Sequence, residues 1–328
     1  MKALLCKAFG PVADLRIEEL PEPQAGPDEV VVDIVAAGLN FPDKLMVNGL
    51  YQVKNDPPFI PGGEAAGIVR QVGNEVRHHK TGDRVIILPM IGAFAERCAL
   101  PAERVMPLPE SLSFEQGAGF TVAYGTSYHA LKQRAQLKPE EIVLVLGAAG
   151  GVGTAAVEIA TVMGAKVIAA ASTDQKLEFA RQAGAHETIN YAQVPLRDAV
   201  KELTGGKGVD IVYDPVGGEL AIPALRSLAW HGRYLVVGFA SGTIPDMPAN
   251  LALLKEASIQ GVWWGTWASR DPGASRNNMH ELFALVAQGK LTPRVTESYA
   301  LEDFVEAFAS ISKRKALAKV VFSLKTTP

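Results

Sequence analysis

The chain has 328 residues, too many for one ordinary hydrophobic core, so two domains are expected, each large enough to fold without staples. Hydrophobic residues make up 48% and aromatics 7%, and no apolar run approaches the length of a bilayer span, which argues against a membrane protein. The 32 basic and 35 acidic residues leave a net charge of −3 with no basic stripe, which argues against nucleic acid and for small-molecule chemistry. From the N-terminus to about Pro109 the pattern is strand-like. Short apolar runs at Glu29–Ala36, Ala65–Val72 and Asp83–Leu88 are separated by Gly- and Pro-rich stretches, and a short helix is expected at Lys44–Asn48, behind Asn40 and Asp43. Residues 1–122 therefore read as a compact β-rich domain.

Helical spacing covers Phe114–Ala130, after which strands alternate with helices to about Val262. The strands are expected at Ile142–Leu146, Lys166–Ala171, Glu187–Asn190, Val209–Asp214 and Tyr234–Val237, with a further one near Ala257–Val262. That alternation predicts an α/β domain over 123–262 with a doubly wound parallel sheet of Rossmann type. Helices at Asn278–Gln288 and Leu301–Ser310 precede a last strand, Ala318–Leu324. A strand after the α/β domain predicts that residues 263–328 return to complete the first domain. The two cysteines, Cys6 and Cys98, form no C-x-x-C pair, so a four-cysteine zinc site is impossible and a thiol redox centre is not expected. With an N-terminal apolar stretch too short for a signal peptide, the expected compartment is the reducing cytoplasm.

The most informative segment is Ile142–Gly153, IVLVLGAAGGVG. An apolar strand that stops at Gly147 and turns through Gly150, Gly151, Val152 and Gly153 into a helix is suited to holding a dinucleotide pyrophosphate at the helix N-terminus. In strict register the pattern is A-x-G-x-x-G, with Ala148 where the first glycine is usual. Such a loop alone is weak evidence; the flanking strands at Ile142–Leu146 and Lys166–Ala171 make it specific.

Several further motifs stand in order along the chain: AGLNFPD at Ala37–Asp43, Gly49-Leu50-Tyr51, PGGEAAGIV at Pro61–Val69, GDRV at Gly82–Val85, Phe94-Ala95-Glu96, Thr121–Thr126 and VVGFASG at Val236–Gly242. Together they resemble the medium-chain dehydrogenases/reductases, and among them the zinc-free quinone oxidoreductases. The resemblance covers essentially the whole chain and implies a GroES-like catalytic domain beside the Rossmann domain, with the cofactor in the cleft between them. Zinc members carry Cys where Asn40 stands, His where Gly63 stands and a third ligand near Ala118; none of these three offers a thiolate or imidazole, so no metal site is expected.

Without a Lewis acid, a conjugated acceptor is the better match, since a quinone or enone already delocalises the charge that arrives with hydride. The enzyme then needs to align the nicotinamide and offer a hydrogen-bond donor to the developing oxyanion. The resemblance places Asn40, Asp43 and Tyr51 near the nicotinamide, with Tyr51 as candidate donor and Asn40 also touching cofactor. Asn40 and Asp43 could instead cap the next helix, and Tyr51 could be a pocket wall. Thr121 and Phe239 resemble positions that hold the nicotinamide carboxamide, or they pack between domains.

The tip of the second strand, Ala170-Ala171-Ser172, lacks the acidic residue usual for NAD, and Asp174 falls slightly late. Ser172 can bond a 2′-phosphate and Lys176 can neutralise it. By resemblance Tyr191, and with it Arg314, contact the same phosphate. The set favours NADPH. The leading expectation is an NADPH-dependent quinone oxidoreductase. The alternatives are a reductase of α,β-unsaturated carbonyls or 2-enoyl thioesters, or an NADPH-binding protein with little turnover. A homodimer is expected, partly by resemblance. Trp263, Trp264 and Trp267 border either the pocket or a subunit contact.

Overall fold

A computed structural model describes residues 1–324 of the chain. They form two compact units, one of Met1–Thr121 with the chain from Pro293 onward, the other of Val122–Thr292. Residues 263–292 therefore stay with the second unit and do not return to the first, as 263–328 was expected to. Packing within the second unit explains this. The Trp264 indole lies so close to Gly125 that a Cβ there would come within 2.7 Å of it, Met279 and Leu282 are buried, and Gln133 donates to Asn278 at 2.9 Å.

The first unit opens with the antiparallel pair β1 (Lys2–Leu5) and β2 (Arg16–Glu19). Next come β3 (Glu29–Leu39), α1 (Phe41–Val47), β4 (Glu64–Val72), β5 (Arg84–Ile87), β6 (Arg97–Pro101), β7 (Val105–Pro107) and α2 (Phe114–Ala118). β3 is the spine of the sheet: β4 pairs along it in antiparallel register, and β6 takes the opposite edge at Glu29–Asp33. The helix expected at Lys44–Asn48 starts earlier because Asn40 adopts the extended cap conformation and Pro42 suits a first turn, where its missing N–H costs nothing. Asp43 lies inside that turn.

The second unit holds α3 (Thr121–His129, whose first residue belongs to the first unit), β8 (Ile142–Leu146), α4 (Gly151–Val162), β9 (Lys166–Ala171), α5 (Asp174–Gln182), β10 (Glu187–Asn190), α6 (Leu196–Leu203), β11 (Val209–Asp214), α7 (Ala221–Arg226), β12 (Leu228–Val236), α8 (Ala249–Leu253), β13 (Ser258–Gly261), α9 (Trp264–Arg270) and α10 (Pro272–Ala287). The single helical stretch foreseen at Phe114–Ala130 is two helices, α2 and α3, parted at Gly119-Phe120 and followed by a π-helical turn at Ala130–Arg134. The sheet runs β10-β9-β8-β11-β12-β13, all parallel, so in order of appearance its strands stand 3-2-1-4-5-6. The central strand β8, IVLVL, is continuously apolar, as suits a parallel strand covered on both faces, while its neighbour β11 keeps Asp210 and Asp214 at positions where their carboxylates accept backbone N–H groups. In an open α/β sheet of this order, ligands bind at the C-terminal ends of the strands where the order reverses, here at β8 and β11.

The chain then re-enters the first unit as β14 (Val295–Ala300), α11 (Phe304–Ser312) and β15 (Lys319–Ser323). β15 pairs antiparallel with the Ala36–Leu39 end of β3, beyond the reach of β6. The ring of Phe322 packs edge-on against Phe94 with centroids 4.8 Å apart, tying the last strand into the core.

Candidate active site

In the second unit, β8 ends at Gly147, whose φ of +58° turns the chain toward α4. Gly153 sits in the first turn of α4, where a Cβ would fall 2.1 Å from the Gly147 carbonyl oxygen, so only glycine lets helix and strand approach this closely. Gly150 caps the helix with no side chain, and no acidic residue occupies its first turn. The Gly150 N–H is used within the turn, donating to the Gly147 carbonyl at 2.9 Å. The donors left at this end are the first N–H groups of α4, from Gly151 and Val152 onward, with the positive end of the helix dipole behind them. Ala148, in the first-glycine position, is buried and donates its N–H to the Ala170 carbonyl on the next strand.

Around the tip of β9, Thr173 caps α5 by accepting from the Lys176 N–H, which sets Ser172 just before the helix and Lys176 on its first turn, both half-buried. Asp174 Oδ1 accepts from Asn190 Nδ2 at 2.7 Å and so ties α5 to the end of β10. Tyr191 follows directly on that strand. Phe239 lies in the loop after β12, its ring against Gly217. Trp264 is buried and Trp267 stacks on His129 with centroids 4.1 Å apart, so these two serve the interior of the second unit, while Trp263 remains half exposed.

In the first unit a buried polar cluster gathers residues from three elements. Lys319, at the head of β15, donates from Nζ to Glu64 Oε1 at 2.6 Å and to Asn40 Oδ1 at 2.5 Å. Asn40 Nδ2 donates to Glu64 Oε1 at 2.9 Å and more weakly to the Gly38 carbonyl at 3.4 Å. The Lys319 and Glu64 side chains are 7% and 0% exposed, so their opposite charges offset one another out of water. Asp43, also buried, accepts the Asn40 backbone N–H at 2.7 Å. Burial pushes its carboxyl up to about 7, against the pull of that N–H and of Lys319, with Glu64 adding to the rise. The capping alternative for Asp43 is therefore present, and the cap is wired to the Asn40 side chain through one residue.

Tyr51 is half-buried just beyond α1. Gly49 ends the helix at φ +68°, and the Leu50 and Tyr51 N–H groups both return to the Leu45 carbonyl, a turn that places the ring. Thr121 is wholly buried, and its hydroxyl has no hydrogen-bond partner among the described residues. An orphaned buried hydroxyl is costly, and a bound ligand would satisfy it. Arg314 is exposed in the turn after α11.

Lys319 is the residue that sequence reasoning missed. The only signals were a lysine heading an apolar strand and a glutamate inside another.

Asn40, Gly63 and Ala118 supply an amide, a hydrogen and a methyl where zinc relatives place ligands, and the neighbouring carboxylate of Glu64 is held by an ammonium. This donor set does not fit a tetrahedral zinc. Among the described residues no group of three His, Cys, Asp or Glu could hold a metal ion.

One unit is a parallel sheet of 3-2-1-4-5-6 order with a glycine turn and the other a β-rich unit joined by β15, a two-unit α/β architecture of the kind dinucleotide-dependent oxidoreductases use. The alcohol dehydrogenase GroES-like domain matches residues 26–110 and the zinc-binding dehydrogenase domain residues 151–287. The quinone oxidoreductase-like protein 2 of Bos taurus is 41% identical over 95% of this chain and 89% of its own length. The Escherichia coli quinone oxidoreductase solved in complex with NADPH superposes with a TM-score of 0.93 at 31% identity, covering 99% of this chain and 100% of that one. The CurK enoyl reductase superposes with a TM-score of 0.89 at 27% identity over 99% of both chains. The chain belongs to the medium-chain dehydrogenase/reductase superfamily, and within it to the quinone oxidoreductases.

Proposed function

We propose that this protein is an NADPH-dependent reductase of quinones that works without a metal ion. The observation that carries the reading is the acid-free glycine turn at the head of α4; the first unit adds a buried cluster whose cation is Lys319, with no set of metal ligands among the described residues. The Escherichia coli relative, solved with NADPH, supports the cofactor. Gly150, Gly151, Val152 and Gly153 hold the pyrophosphate, with Ala148 beneath them. Ser172, Lys176 and Tyr191 take the 2′-phosphate, with Arg314 as a further contact. The engagement of Asp174 by Asn190 supports the same preference, since that carboxylate already has a partner.

NADPH supplies the hydride. Thr121 and Phe239 orient the nicotinamide, and Asn40 binds its neighbourhood. Tyr51 donates a hydrogen bond, then a proton, to the oxygen of the reduced acceptor. Asp43 acts through the Asn40 backbone. Two free, buried cysteines fit a reducing cytoplasm, and the edge strand β13, with Ile259 exposed on it, fits a homodimer.

The second reading is reduction of enones or 2-enoyl thioesters, favoured by the likeness to an enoyl reductase. An acceptor screen that follows NADPH oxidation with 1,2- and 1,4-quinones, enones and short enoyl-CoA thioesters separates the two. Turnover confined to enones or thioesters selects the second. Tight NADPH binding with no turnover on any acceptor overturns both in favour of a binding protein.

A further inference from the structure

Asn40 is held by charges on both sides of its amide. Its oxygen accepts from the Lys319 ammonium and its nitrogen donates to the Glu64 carboxylate. Turning the amide over would set an NH₂ group against an ammonium and a carbonyl oxygen against a carboxylate. Both contacts would be repulsive at hydrogen-bond distance inside a buried cluster, where charge interactions are strong. The pair thus selects one orientation.

That orientation fixes what Asn40 can offer a ligand. An amide nitrogen has two hydrogens, and they face Glu64 Oε1 and the Gly38 carbonyl. The amide oxygen has two lone pairs, of which Lys319 uses one. What remains is one acceptor position and no donor.

Two glycines make room for this arrangement. A Cβ on Gly38 would lie 2.7 Å from Glu64 Oε1 and 2.2 Å from the Ala118 carbonyl oxygen. A Cβ on Gly119 would lie 2.5 Å from Lys319 Cγ. Neither glycine is in the left-handed region, so space, and not backbone freedom, is what these positions require.

We propose that Lys319, paired with Glu64, is a positioning residue that locks Asn40 as a hydrogen-bond acceptor, so that Asn40 receives a neutral donor of the bound cofactor, a hydroxyl or amide N–H. Asn40 then cannot stabilise an oxyanion on the reduced acceptor, which leaves that task to Tyr51. The inference rests on the NADPH reading above.

The test is NADPH affinity, titrated by nicotinamide fluorescence with no acceptor present, together with kcat and KM on a 1,2-quinone. Lys319→Met alone strands the Glu64 charge and can fail to fold, so the neutral pair Lys319→Met with Glu64→Gln is compared with it and with Lys319→Arg. The neutral pair is expected to weaken NADPH about tenfold and Lys319→Arg to recover most of the loss, the scale of one well-placed hydrogen bond. Direction is read from Asn40→Asp with Glu64→Gln, which keeps an acceptor, a Lys319 partner and charge balance. It is expected to bind NADPH about tenfold more tightly than Asn40→Ala. Equal loss in those two variants overturns the acceptor assignment, and an unaltered neutral pair overturns the lock. Native protein that binds no NADPH overturns the cofactor reading itself.

Discussion

Tyr234 donates its phenolic hydrogen to Asp214 in the interior of the nucleotide unit, and both side chains are buried. The other Asp214 oxygen accepts from the Val216 and Gly217 N–H groups at 2.7 and 2.8 Å, and its backbone carbonyl accepts from Val237 at 2.9 Å. One residue thereby ties the loop after β11 to the loop after β12, which carries Phe239. At φ +65°, Gly217 lies so close to that ring that a Cβ would come within 2.9 Å of it. Tyr234→Phe leaves one oxygen of a buried carboxylate unpaired and is expected to cost about 1–3 kcal/mol. Urea unfolding measures the loss, and an NADPH titration reads whether the Phe239 loop shifts with it. Unchanged stability would show that the bond does not brace the loops.

Asp43 makes stability depend on pH in a direction opposite to most carboxylates. Its value in the fold, about 7, lies above the ordinary 3.8, so the native state holds the proton more tightly than the unfolded chain does. The stability this contributes is complete below about pH 4 and is lost as the pH rises to about 7. Asp43→Asn can still accept the Asn40 N–H but has no charge to bury. Relative to the native protein, it is expected to gain stability by up to about tenfold in the unfolding constant per pH unit across that window. Urea denaturation of both proteins at pH 5 and pH 8 checks this; a gap that stays constant sinks the assignment.

The parts of the molecule that were legible in the sequence are those whose causes are local. Ile142–Leu146 reads as a buried strand because five apolar residues stop at a glycine, and Gly153 is demanded by the Gly147 carbonyl six residues before it. Lys319 was illegible for the opposite reason. Its partners lie 255 and 279 residues away, and a lysine heading a strand is ordinarily a solvated charge. Gly119 was passed over as an interior helix residue. It breaks the stretch in two and admits the lysine stem. The second boundary moved to Pro293 because what holds residues 263–292, such as Trp264 on Gly125 and Asn278 on Gln133, again joins distant segments.

Cofactor preference is expected to rest on Lys176. It stands on the first turn of α5, where Asp174 is tied to Asn190, and in the proposed reading its ammonium meets the 2′-phosphate. Lys176→Ala is expected to raise KM for NADPH about tenfold and to leave NADH nearly unchanged, because only the 2′-phosphate carries the charge to be neutralised. Steady-state kinetics with both cofactors decide it. An equal loss for both places Lys176 elsewhere in binding.

The proton-donor role proposed for Tyr51 rests on a chemical argument. Asn40 has its hydrogens committed, Asp43 is closed off by burial and Thr121 is assigned to the nicotinamide, which leaves the phenol as the first unit's remaining uncommitted donor among the assigned groups. The Gly49 turn seats the ring through the backbone alone, so Tyr51→Phe removes one oxygen without disturbing the fold. The variant is expected to lower kcat on quinones by about 10²-fold, the lower range for losing a general acid, while NADPH affinity stays put. An enone should suffer at least as much as a quinone, because its developing oxyanion is the more basic. If Tyr51→Phe turns over every acceptor at the native rate, the ring only packs, and the proton comes from water.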